Sequence, residues 1–395
     1  MSMSNITFRL SKTTATRSAG WFNARIMSIH SSATLAEKGE IPSDSLNEND
    51  VLIENIKDSG ILTLNRPKVL NALNLSMVRK IYPALKEWEA SKNLVIVKAT
   101  GEKAFCAGGD VKTLALALNN SGGKKVGQEF FRAEYTLNHL IGTYKRPYIA
   151  LINGITMGGG VGLSVHGKYR IATENTLFAM PETAIGLVPD VGGTFFLPRL
   201  SGKLGCYLGL TGHRLKGTDV LAAGIATHYV PSERLGDLTN ELLESNGNNI
   251  SEIIKKYQPD NFNPEFSLQP YLKQIDKCFS APNVQEIIQR LESDGSDWAV
   301  NAIKLLKQMS PTSLTVTLQA IEKGSQLSLK ECLEMEFRLV SAALTKDGDY
   351  YEGVRALLVD KDKKPMWKPA QLSEISQKAI EARFAKLPDE EELKL

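Results

Sequence analysis

The sequence predicts an α/β fold of stacked ββα units that gives way to an α-helical carboxy-terminal region. Two observations predict it. Along residues 51–230, short apolar runs of strand type recur with helical patterns in the order strand, strand, helix. Beyond residue 235, helical spacing dominates. At 395 residues, with 42% hydrophobic and 23% charged residues, the chain is long enough for one large domain with additions, or for two. The expected organisation is a leader at 1–36, a ββα core at 48–235 and a mainly helical region at 236–395.

The leader has its own composition. Residues 1–36 hold Arg9, Lys12, Arg17 and Arg25 among many Ser and Thr, with no acid before Glu37. This is the character of a mitochondrial transit peptide, and it predicts a mitochondrial location, in the matrix. Taking those four positive charges from the formal +3 leaves the body at −1. A body that is not basic argues against nucleic acid as its ligand. The longest apolar run, Tyr148 to Val165, is interrupted by Asn153 and five glycines, so no membrane span is expected.

In chain order, GILTLN at 60–65 reads as a strand stopped by Arg66-Pro67. Asn74 reads as a helix cap, followed by Val78, Ile81, Leu85 and Trp88 at helical spacing. LVIVKA at 94–99 is a strand of the kind buried on both faces, and it runs into the glycine-containing loop GEKAFCAGGD. Lys124 to Tyr144 reads as a helix. One face would carry Phe130, Glu134, Leu137 and Ile141, placing a carboxylate in an apolar stripe, where it must be paired, protonated or at work. The alternative inner face is Phe131, Tyr135 and Asn138, which would leave Glu134 outside. YIALI at 148–152 is another buried strand. The glycine cluster Gly158–Gly160 is expected to open a helix through Val165, followed by strands at 169–172 and 177–180. Residues 198–231 read as helix, turn, helix and short strand, and 246–263 as polar loop. Further helical patterns lie at 284–291, 298–309, 314–322 and 327–344.

The stretch from Asn153 to Gly193 concentrates the chemistry. Glu182 and Asp190 stand in a segment broken by Pro181 and Pro189, which places them on shaped loops or element ends. Two glycine-rich loops, around Gly109 and Gly159, each follow a strand. Backbone amides there can converge into an oxyanion hole, because glycine lets a ligand approach the N–H closely. The four cysteines form no CxxC pair and the five histidines no short ligand spacing, so no metal site is expected. GLSVHGKY lacks the Ser or Thr of a P-loop, and Ser164 is out of register for a nucleophile elbow. What remains is carboxylate chemistry on an activated acyl group, by Glu182, Asp190 and, if it faces inward, Glu134.

The motifs LNRPKVLNALN, FCAGGD, INGITMGGGVGLS and PETAIGLVPDVGGTFFLPRL, with LTGHRL and GIATHYV, resemble the crotonase, or enoyl-CoA hydratase/isomerase, superfamily. FRAEYTLN, MGGGVGLSVHG and VRALLVDKDKKPMWKP are closest to its branch that hydrolyses 3-hydroxyisobutyryl-CoA. The resemblance implies a crotonase-type spiral and hydrolysis of the thioester of 3-hydroxyisobutyryl-CoA, with 3-hydroxypropionyl-CoA as a second substrate, in valine catabolism. CoA is then part of the substrate and no separate cofactor is implied. The amides of Gly109 and Gly159 would polarise the thioester carbonyl. Glu182 would match the family's catalytic glutamate, Asp190 the acid of the hydrolase branch, and Glu134 a further substrate-contacting glutamate. Hydratases carry a second glutamate where this chain has Gly162, which disfavours hydration. The alternatives are an enoyl-CoA hydratase or isomerase, or a noncatalytic crotonase-fold component of a mitochondrial, for example ribosomal, assembly. The family also implies a possible homo-oligomer.

Overall fold

The computed structural model describes residues 49–260 and 262–395. The leader at 1–36 lies outside the described residues. Among the described residues, ten strands form two sheets: β1 Val51–Ile56, β2 Ser59–Leu64, β3 Leu94–Ala99, β4 Ala104–Cys106, β5 Tyr148–Ile152, β6 Ile155–Met157, β7 Tyr169–Ala172, β8 Leu177–Ala179, β9 Leu215–Lys216 and β10 His228–Tyr229. The larger sheet runs β1-β2-β3-β5-β7-β10, and the smaller runs β4-β6-β8-β9.

The alternation between sheets explains the ββα reading. The pairs β3–β4, β5–β6 and β7–β8 each give one strand to the large sheet and the next to the small one. Within each sheet these strands lie parallel. Each turn of the spiral therefore advances both sheets by one strand, and strands of both are buried by what packs over them. Leu94, Val95, Ile96 and Val97 of β3 are all buried, as are all five residues of β5. Fully burying such a side chain contributes about 1.5–3 kcal/mol.

Three expectations need correction. The glycine cluster opens a helix of only four residues, Gly159–Gly162, because three glycines in four positions hold a longer helix poorly. The polar stretch 246–263 contains the helix Ile250–Lys256, which anchors on just two buried residues, Ile250 and Ile254. The strands β1, β4, β6 and β9 were not expected: β1 is an edge strand with only Val51 buried, and the other three have two or three residues each.

The helix Gly123–Gly142 settles the position of Glu134. It packs between the helices Leu75–Ser91 and Leu329–Ala343, so both candidate faces are covered. Phe130, Glu134, Leu137 and Ile141 are buried, and so are Phe131, Tyr135 and Asn138. One hydrophobic core runs through the sheets and the carboxy-terminal helices, from Leu62 and Trp88 to Phe337 and Tyr350. Among the described residues, no helix is long and apolar enough to cross a membrane.

Candidate active site

The first glycine loop follows β4. Its neighbours are pinned: Ala107 N–H donates to Leu70 O at 3.0 Å, Leu73 N–H to Gly108 O at 2.8 Å, and Asp110 N–H to Leu73 O at 2.8 Å. Gly108 takes φ +115°, which only glycine adopts freely. Gly109 sits between these bonds, and its own N–H donates to no acceptor among the described residues. The second loop follows β6. Gly158, at φ +44° and ψ −119°, turns the chain into the short helix, and its carbonyl accepts from Val161 and Gly162. The amide of Gly159, first in that helix, likewise donates to nothing among the described residues.

The two loops meet. A Cβ placed on Gly159 would lie 3.3 Å from the Gly109 nitrogen and 2.5 Å from Glu134 Oε1. One placed on Gly158 would lie 3.2 Å from Glu182 Oε1. The absence of side chains at these glycines is what leaves space between the amides and the carboxyl groups.

Glu182 opens a 3-10 turn, Glu182–Ile185, directly after β8 and Pro181. Asp190 lies on the irregular segment that precedes the helix Gly193–Phe196, next to Val191 at φ +51°. Glu134, Glu182 and Asp190 are 2%, 5% and 5% exposed, so all three carboxyls are out of bulk water. Tyr135 donates its hydroxyl to Asp190 Oδ2 at 2.6 Å. By contrast Glu134 Oε1, Glu182 Oε2 and both polar atoms of Asn138 are buried with no partner among the described residues. Buried polar atoms are rarely left unpaired, so these mark where a polar ligand or water belongs.

Burial drives the acidity of the cluster. Desolvation, then the charges of Asp190 and Glu182, hold the Glu134 carboxyl well above its ordinary value. Desolvation and the Asp190 charge do the same for Glu182. Asp190 is raised by burial to about 6, with the Tyr135 hydroxyl pulling in the opposite direction. The three carboxyls therefore titrate as a set. Such a set can take a proton from one reacting atom and return it to another, beside two N–H groups suited to a developing oxyanion.

All five residues expected from the sequence, Gly109, Gly159, Glu134, Glu182 and Asp190, come together in this one place. The sequence profile of the enoyl-CoA hydratase/isomerase family matches residues 59–384. The chain belongs to this family. Among family members, 3-hydroxyisobutyryl-CoA hydrolase, mitochondrial, of Danio rerio is 52% identical over 355 residues, 88% of this chain and 92% of that protein. The Homo sapiens protein of the same name is 51% identical over 346 residues, covering 86% and 89%. In structure, the family fold is shared with a carnitinyl-CoA dehydratase from Mycobacterium thermoresistibile (TM-score 0.81, 37% identity, 87% of this chain and 98% of that one). An enoyl-CoA hydratase from Rhodobacter sphaeroides is as similar (TM-score 0.80, 37% identity, 88% and 100%).

Four further residues bear on the site. Tyr135 and Asn138 belong to the alternative inner face of their helix, and because that helix is buried on both faces they come in together with Glu134. Glu336 and His166 contact the segment that follows Asp190. Glu336 lies among Cys332, Leu333, Leu339 and Val340 at helical spacing, the same kind of apolar stripe that singles out Glu134.

Proposed function

We propose that this protein hydrolyses the thioester of 3-hydroxyisobutyryl-CoA, and of 3-hydroxypropionyl-CoA, to the free hydroxy acid and CoA. The relatives that carry this activity in their name, at about half identity over nearly the whole described chain, support the reading most directly. The geometry agrees with it. The thioester carbonyl oxygen sits at the amides of Gly109 and Gly159. Glu182, as carboxylate, either adds to the carbonyl carbon or takes a proton from the water that adds. The C–S bond then breaks, the thiolate of CoA leaves and is protonated, and in the first route water cleaves the mixed anhydride to regenerate Glu182. Asp190 accepts a hydrogen bond from the β-hydroxyl of the substrate or orients the water, and Glu134 closes the same space from the other side. A cavity of about 520 Å³ lined by Lys68, Lys103 and one acid, Glu102, with Leu70, Asn71 and Ala104, opens beside the Gly109 loop. It offers room and positive charge for the phosphates of CoA. The protein works in the mitochondrial matrix, on an acyl-CoA that carries its own CoA.

Hydration is the competing reading, favoured by the names of the two structural relatives. It lacks a second carboxylate at Gly162, where an added Cβ would lie 2.6 Å from Asn138 Nδ2 and 2.8 Å from Val191 Cβ. The test is thiol release from 3-hydroxyisobutyryl-CoA, 3-hydroxypropionyl-CoA and isobutyryl-CoA, run beside hydration of crotonyl-CoA. Fast release from the two hydroxylated substrates and slow release from isobutyryl-CoA are expected. Hydration without thiol release would defeat the hydrolase reading, and no turnover of any substrate would favour a noncatalytic role.

A further inference from the structure

The segment behind Asp190 is held in an unfavourable conformation by two residues from elsewhere in the chain. Val191 adopts φ +51° although it is β-branched, a conformation unfavourable for such residues. His166 Nε2 lies 2.7 Å from the Val191 carbonyl oxygen. Desolvation pushes the His166 imidazole down to about 4, so the ring is neutral near pH 7 and the proton shared with Val191 O is on Nε2. The ring also packs under the turn: a Cβ on Gly192 would lie 2.4 Å from its Cε1. Glu336 collects three donors from the same turn. Gly192 N–H donates to Oε2 at 2.7 Å, and Thr194 donates to Oε1 through its N–H at 2.8 Å and its hydroxyl at 2.6 Å. Gly193 N–H closes the turn onto Asp190 O at 2.7 Å.

Glu336 is an unusual choice for a merely structural contact. It is 0% exposed, and no cation pairs with it among the described residues. Burial pushes its carboxyl up to about 8, while the Thr194 hydroxyl and the Gly192 and Thr194 amides pull it down, so its two oxygens serve these donors and not a cation. It sits on the helix Leu329–Ala343, more than 140 residues from the turn it holds. That helix also lies against Gly123–Gly142, which carries Glu134 and Tyr135. One helix thus sets both the backbone behind Asp190 and the helix whose tyrosine holds the Asp190 side chain.

We propose that Glu336 and His166 are positioning residues that clamp the Val191 turn, one through its amides and the other through its carbonyl, and so fix the direction of Asp190 for the reaction. Neither touches substrate. This rests on the hydrolase reading above for its activity assay, and on structure alone for its second readout. Glu336→Gln keeps the size of the side chain but turns an NH₂ toward one of the donors. Its expected effect is a fall in kcat of about ten- to a hundredfold with KM little changed, as for a misplaced reacting group. In an Asp190→Asn background the same change is expected to cost little more, because residues that act through one another are not additive. His166→Leu is expected to behave like Glu336→Gln, and His166→Gln, which restores an N–H near Nε2, to recover most of the rate. An undiminished kcat in Glu336→Gln, an equal further loss in the Asp190→Asn background, or no rescue by His166→Gln over His166→Leu would overturn the clamp. A crystal structure of Glu336→Gln decides without turnover. Val191 is expected to leave the left-handed region and the Tyr135–Asp190 contact to lengthen, and an unchanged turn would overturn the proposal. If the unmodified protein releases no thiol from any acyl-CoA, the functional reading fails while the crystallographic test still stands. Should Glu336→Gln not fold, the His166 pair and a His166→Leu crystal structure carry both tests.

Discussion

The hydroxyl of Tyr135 donates to Asp190 Oδ2 at 2.6 Å, joining a helix residue to a loop residue 55 positions later. It is the only side-chain hydrogen bond to any of the three clustered carboxyls among the described residues. It separates Asp190 from Glu134 and Glu182 in acidity: burial raises all three, but only Asp190 has a hydroxyl that favours its carboxylate.

Tyr135→Phe should therefore raise the pKa of Asp190 above about 6. The sign follows from the lost donor, since a carboxylate without its hydrogen bond holds its proton to higher pH. The acid limb of kcat/KM is expected to move to higher pH, with the rate partly recovered in alkaline buffer. A pH–rate profile checks it, and a limb that stays put or moves down contradicts the assignment.

Gly159→Ala tests the space between the loops. The new methyl group would stand 2.5 Å from Glu134 Oε1, at the end of a movable side chain, and 3.3 Å from the Gly109 nitrogen. The fold should survive because the carboxyl can shift. The carbonyl of the substrate would be kept from the amides, and kcat should fall by about 10²–10³-fold, the usual effect of losing an oxyanion donor. Steady-state kinetics with circular dichroism separate these outcomes.

Glu182→Gln should trade activity for stability. The carboxyl of Glu182 is held well above its ordinary value of 4.5 by desolvation and by the Asp190 charge. A carboxyl raised in the fold contributes stability that is complete below its unfolded value and is lost as pH rises through its folded value. The amide has no charge to bury and escapes that loss. Its thermal midpoint should exceed that of the unmodified protein at pH 8, with the gap closing toward pH 4. Hydrolysis should meanwhile drop by about 10²–10⁴-fold. A gap that widens in acid would refute the argument.

The parts of this structure that sequence patterns reveal are those stabilised locally. The strands β3 and β5 are continuous apolar runs, and the helices Leu75–Ser91 and Gly123–Gly142 carry apolar residues at helical spacing. Glycine clusters and a proline-broken acidic segment mark four of the five site residues, and an apolar stripe on a helix marks the fifth, Glu134. Strands of two or three residues such as β6 and β9 exist only because a neighbouring strand pairs with them, and nothing in their own residues announces that. The same holds for the residues behind Asp190. His166 and Glu336 lie 25 and more than 140 positions from their partners. Only the spiral and the helices packed over it bring them to one turn.

Gly162 bears on which reaction the site performs. It follows the amide of Gly159 by three residues, where hydratases of the family place a carboxylate, but here the space is taken. Asn138 Nδ2 and Val191 Cβ would lie 2.6 and 2.8 Å from any Cβ at this position. Gly162→Ala should therefore destabilise by about 1–3 kcal/mol through overpacking. Asn138→Ala should relieve part of it, so the double variant is expected to be more stable than the two single losses predict. Asn138 has no partner among the described residues for either polar atom, so its removal alone breaks no hydrogen bond seen here. Gly162→Glu, with or without Asn138→Ala, should not hydrate crotonyl-CoA, because its carboxylate would enter against Val191 and disturb the turn that carries Asp190. Urea unfolding midpoints for the four combinations of Ala variants test the packing, and absorbance at the enoyl thioester band tests the chemistry. Additive destabilisation would show that Asn138 does not occupy the space. Hydration by either Glu variant would show that a single missing carboxylate, and not the crowding around Gly162, separates this site from a hydratase.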